Sequence, residues 1–125
     1  MKNISNVLYS CVLLDNKSHD LLLTTFSDKI PNDWKRIAHH MTICFGELKD
    51  VTEIGKTVNL TVTHIGFNDK AMAVLVNGFR SKNTNPHVTL AINPNSGKPK
   101  DSNTITDWVN VEEFTITGVV TEVKQ

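Results

Sequence analysis

Two segments of this chain carry the same four-residue pattern, His40-Met41-Thr42-Ile43 and His87-Val88-Thr89-Leu90, each inside an apolar run. Successive side chains of a strand point to opposite faces, so the pattern constrains a sheet and not just a strand. If Ile37 to Phe45 is a strand, His40, Thr42 and Cys44 share one face, while Met41, Ile43 and Phe45 form an apolar one. In His87 to Ile92 the same parity sets His87, Thr89, Ala91 and the following Asn93 against Val88, Leu90 and Ile92. Were these strands neighbours, two imidazoles and two hydroxyls would converge on one spot with core behind them.

The rest of the chain reads as further strands with few helices. Val7 to Leu14 is β-branched and aromatic-containing, and is read as the first strand and not as a signal sequence. Ser18 is placed as the cap of a short helix over His19 to Asp28, ended by Ile30-Pro31-Asn32. Thr57 to Gly66 alternates, and Phe67-Asn68-Asp69-Lys70 turns it into Ala71 to Val76 as a hairpin. Asn93 to Ser102 is a polar loop, a short helix is expected from Ser102 or Asn103 to Trp108, and Phe114 to Val123 closes the chain as a strand. Mostly antiparallel strands with few short helices predict one compact α+β domain over residues 1–125.

Composition narrows the partners. Thirteen basic and thirteen acidic side chains cancel, so no global field draws the chain onto duplex DNA or a membrane surface. No stretch approaches a membrane span. Cys11 and Cys44 both sit in apolar runs and are read as small buried hydrophobes in a reducing, cytoplasmic setting. An anionic substrate must then be held locally, which favours a small nucleotide or an RNA 3′ end. The sequence is silent on oligomeric state.

Two histidines and two threonines on one face have a definite use. Breaking a P–O bond needs a base for the attacking oxygen and an acid for the leaving oxygen. Imidazoles suit both roles because they titrate near neutrality. Flanking hydroxyls can hold the non-bridging oxygens on which charge develops. The scheme needs no metal and no other cofactor, and it leaves open which histidine is the acid.

These two segments resemble the signature of the 2H phosphoesterase superfamily. The resemblance implies a bilobal α+β fold around a central cleft, and hydrolysis of cyclic phosphates or phosphodiesters by His40, Thr42, His87 and Thr89. The loop Gly97-Lys98-Pro99-Lys100-Asp101-Ser102-Asn103 is similar to that in cyclic phosphodiesterase domains of RNA-repair proteins and fungal-type tRNA ligases. A phage branch that destroys cyclic-nucleotide immune signals is similar in size and motif.

Other residues carry paired readings. Tyr9 can stack on a base or simply pack. Ser102 and Asn103 can bind phosphate or ribose, or cap a helix. Lys98, with Arg80, Lys82 and Lys100, either guides a phosphate or forms a solvated face. Trp108 reads as core or cleft wall, and Trp34 as packing beside the first motif. His39 points away from His40 if the strand is regular, which leaves no joint metal site. His64 and His19 read as structural and surface residues, and Glu112 and Glu113 as candidates to orient a histidine. The alternatives to an enzyme are a module that sequesters a nucleotide or RNA end without turnover, and a β-rich interaction domain with structural histidines.

Overall fold

The computed structural model describes residues 6–124, so residues 1–5 and 125 of the expected domain lie outside the described residues. Its elements run β1 (Val7–Leu14), α1 (Asn16–Thr25), β2 (Lys35–Arg36), β3 (His40–Phe45), β4 (Thr57–Phe67), β5 (Ala71–Asn77), β6 (His87–Ile92) and β7 (Trp108–Lys124). Two 3-10 turns, Val51–Glu53 and Pro99–Thr104, lie between them. The sheet runs β2-β6-β3-β1-β7-β4-β5, and a further β5–β6 pairing closes it into a six-stranded antiparallel barrel. β2 lies outside that ring, along one end of β6.

Closure follows from the alternation. Val12, Met41, Leu60, Val62, Val74, Val88, Leu90, Ile116 and Val120 are fully or almost fully buried and fill the barrel. Leu22 of α1, with Phe26 just beyond its end, packs onto the same core. Few, short helices and antiparallel strands are what the sequence predicts. The ring of pairings is continuous, and a bilobal division is not confirmed by it. No helix among the described residues is long and apolar enough to cross a membrane.

Four local expectations are corrected. The helix begins earlier, at Asn16, because Asp15 is the N-cap and its carboxylate accepts the Ser18 N–H at 2.7 Å. Ser18 is buried, and its hydroxyl accepts the Thr117 N–H from β7. The helix expected up to Trp108 is instead the 3-10 turn Pro99–Thr104, with Pro99 in its first positions and Asp101 accepting the Lys98 N–H at 2.8 Å. β7 starts at Trp108 and not at Phe114, its early half paired along β4. Gly118 lets β7 pass close to β1, since a Cβ there would lie 2.6 Å from the Leu13 carbonyl oxygen. The strand expected over Ile37 to Phe45 is broken, and the break shapes the candidate site.

Of the two thiols, Cys11 is buried, and burial pushes its pKa up to about 11, which suits an inert core residue. Cys44 is only half-buried, contrary to expectation. Phe45, expected in the core, is 82% exposed. The register explains it: Ser10 pairs with Cys44 and Cys11 with Thr42, so Ile43 has no partner on β1 and the alternation slips beyond it.

Candidate active site

The two patterned strands meet. Met41 of β3 pairs with Val88 of β6 in antiparallel register, and both side chains are buried. An antiparallel pair has a local two-fold axis through such a residue pair. The residue before it is a histidine on both strands and the residue after it a threonine on both. His40, Thr42, His87 and Thr89 thereby share the barrel's outer face and line one pocket of about 260 Å³.

The symmetry is broken on the His40 side. Ala38 donates its N–H to the Thr89 carbonyl at 2.9 Å, while Met41 already pairs with Val88. His39 and His40 are therefore both accommodated between two consecutive residues of β6, a bulge of the kind that re-aims side chains. Ala38 absorbs the turn with φ +47°, a left-handed conformation that a side chain resists. His19 of α1 stands behind it, its Nδ1 3.0 Å from the Ala38 carbonyl, so it is more than a surface helix residue. Because the strand is irregular here, His39 does not point away. Its Nδ1 lies 2.7 Å from His40 Nδ1, and the rings meet edge to face.

The two histidines consequently differ. His87 Nδ1 lies 2.7 Å from the Asn85 carbonyl, which can only accept, so Nδ1 carries the proton and Nε2 is the titrating nitrogen. Burial lowers its pKa, and the Asn85 carbonyl opposes the shift by favouring the imidazolium. His40 has no such carbonyl among the described residues. Burial, with the imidazoles of His39 and His87 adding to it, lowers its pKa to about 4. Tyr9 stacks on the His40 ring at 4.9 Å between centroids. Burial of the Tyr9 phenol, with the Cys11 thiol adding to it, raises its pKa.

The threonines differ as well. Thr89 Oγ1 lies 2.8 Å from Ser102 Oγ and donates to the Pro99 carbonyl at 3.3 Å. It thus ties the 99–104 turn to β6. Thr42 turns its side chain to the pocket while its carbonyl accepts the Ser81 hydroxyl at 2.7 Å. The expected substrate-binding residues separate accordingly. Tyr9 and Asn103 line the pocket. Ser102 is buried to 1% exposure against Thr89 and acts as an anchor of the turn, not as a wall. Lys98 is exposed and stands outside the lining, whereas Lys100 is in it.

Ile37, Asn83 and Pro99 also line the pocket, and so does the exposed Phe45. Sequence reasoning passed over these because only tertiary structure brings the 79–86 segment and the 99–104 turn over the β3–β6 seam. The one available signal was proline and polar residues directly preceding and following the second motif. His64 bonds Thr63 away from the pocket. Glu112 and Glu113 are exposed on β7 and bond no histidine among the described residues. Trp34 packs against the core, and Trp108 stands at the start of β7, off the pocket lining.

A family model described as the fungal tRNA ligase phosphodiesterase domain matches residues 17–124. No curated protein and no solved structure matches the chain.

Proposed function

The chain belongs to the fungal tRNA ligase phosphodiesterase domain family, a domain of the 2H phosphoesterase type, and from that premise we propose that it hydrolyses a cyclic phosphate on a nucleotide or RNA 3′ end by two-histidine acid–base catalysis. Family membership supports a cyclic phosphodiesterase in general. The observation that carries the finer reading is the pairing of Met41 with Val88, which brings His40 and His87 to one pocket with Thr42 and Thr89 beside them.

The asymmetry of the histidines supports a division of labour. His40 stays neutral, with its Nδ1 engaged by His39, so its Nε2 is free to take the proton of an attacking water. His87, held at Nδ1 by the Asn85 carbonyl, is the imidazole better suited to carry a second proton and deliver it from Nε2 to the leaving oxygen. Water adds to phosphorus as the ring P–O bond breaks. The net change is one P–O bond made, one broken, and a proton passed from water to the freed hydroxyl. Thr42 and Lys100 hold the non-bridging oxygens. Thr89 acts by fixing the turn that carries Lys100 and Asn103. No step requires a metal ion.

Turnover in EDTA, on 2′,3′-cyclic nucleotides, cyclic di- and trinucleotides and 2′-5′ oligomers, tests this. His40→Ala and His87→Ala are each expected to lose about 10²–10⁴-fold in kcat while still folding. Unchanged turnover in either folded variant would sink the mechanism. Tight nucleotide binding with no turnover by the wild type would point to a sequestering module instead.

A further inference from the structure

A second cavity of about 560 Å³ adjoins the pocket just described, with Phe45 lining both. Its wall is built and not incidental. Ser81 donates its hydroxyl to the Thr42 carbonyl, Lys82 its N–H to the Ile43 carbonyl at 2.7 Å, and Asn83 its N–H to Ser81 Oγ. The segment is thereby pinned along β3, with Asn83 facing the first pocket and Ser81 and Lys82 the second.

The cavity sets an aromatic ring beside several cations. Among the described residues no large apolar side chain is more exposed than Phe45, at 82%. A bare aromatic face beside cations is the usual platform for a single-stranded base and its phosphate. Lys49 and Lys82 line the cavity, and neither has a carboxylate partner among the described residues. Arg80 also lines it but is tied to Glu53 through both terminal guanidinium nitrogens, and Glu47 is the one opposing charge on the wall. The first pocket, at about 260 Å³, is less than half the size of the second.

We infer that the second cavity is a subsite for the nucleotide on the 5′ side of the reacting one, with its base on Phe45 and its phosphate between Lys49 and Lys82, so that the substrate is the end of a single-stranded oligonucleotide and not a mononucleotide. This rests on the phosphodiesterase reading above and adds the length and the strand direction of the substrate.

The test compares kcat/KM for a nucleoside 2′,3′-cyclic phosphate with that for a trinucleotide bearing the same terminal group. The trinucleotide is expected to react at least about tenfold better, the size of effect one stacked base supplies. The double variant Lys49→Ala/Lys82→Ala alters two exposed side chains outside the first pocket. It should remove most of that advantage, leave the mononucleotide rate unchanged, and flatten the salt dependence of the trinucleotide by about 0.7–1.4 in log–log slope. Equal rates for the two substrates, or an advantage that survives the double variant, would overturn the subsite while leaving the activity standing. If neither substrate is turned over, the phosphodiesterase reading has failed. Binding of a fluorescent trinucleotide then decides, since loss of affinity in the double variant upholds the subsite and absence of wild-type binding refutes it.

Discussion

At the scale of single residues, the pocket's chemistry depends on two imidazoles kept unlike. His87 has a backbone carbonyl at Nδ1, and His40 has another imidazole there. Both pKa values are lowered by burial, that of His40 to about 4. If His40 must be neutral and His87 charged, kcat/KM follows a bell set by the free enzyme. Its acid limb is expected near pH 4 and its alkaline limb below 6.5, so the optimum lies on the acid side of an ordinary histidine. His39→Ala removes an imidazole that holds the His40 pKa down, and should move the acid limb upward. A pH–rate profile of the two proteins checks both directions, and a wild-type optimum above 7 would contradict the assignment. The shared face of His and Thr within each motif was legible in the sequence, because strand parity alone sets it, whereas the convergence of the two motifs hung on the strands being neighbours, which parity does not supply. The contribution of Lys100 over Lys98 was not, since it depends on how the 99–104 turn folds onto Thr89. Neither was the burial of Ser102, whose partner is thirteen positions away.

Among the elements, the break between β2 and β3 matters most. The pattern from Ile37 to Phe45 reads as one strand; Ile37 and Met41 do lie along β6, while Cys44 and Phe45 pair with β1. What hydrophobic alternation does not reveal is a two-residue bulge at His39 and His40 entered through Ala38, since alanine gives no signal for a left-handed turn. The helix was legible in existence but not in register, because Asp15 and Ser18 are both good caps and only the fold chooses between them. The bulge predicts a contrast between two substitutions. Ala38→Gly accepts φ +47° freely and should change stability by no more than about 1 kcal/mol. Ala38→Val places a β-branched side chain in that turn at a fully buried site. It should cost about 1–3 kcal/mol and lower kcat/KM, because His39 and His40 lose their placement. Urea unfolding and turnover of the two variants measure this. A Val variant that is as stable and as active as wild type would show that the bulge is not required.

Across the whole molecule, closure of the ring joins this seam to a single core. β6 pairs with β5 on one edge and with β2 and β3 on the other, and Val88 and Leu90 on its inner face are fully buried. His87 on its outer face and His40 on the neighbouring β3 therefore take up protons in the fold at lower pH than in the unfolded chain, at the expense of stability. A buried histidine with a lowered folded-state pKa makes no difference to stability where both states are neutral. As pH falls below the unfolded value of about 6.5, the unfolded chain takes up protons that the folded chain refuses. Stability is therefore expected to fall as pH drops from about 6.5 toward 4, the value His40 reaches in the fold. The Asp15 cap acts in a different window, because hydrogen bonds from Ser18 lower its pKa and its contribution disappears only when pH falls through that lowered value. Urea midpoints measured between pH 7.5 and 4.5 should decline in the wild type. They should be nearly level in His40→Gln/His87→Gln, with the same m value in both proteins. An equally steep decline in the double variant would assign the acid sensitivity to groups outside the seam, and the two imidazoles would then be no less free to protonate in the fold than in the unfolded chain.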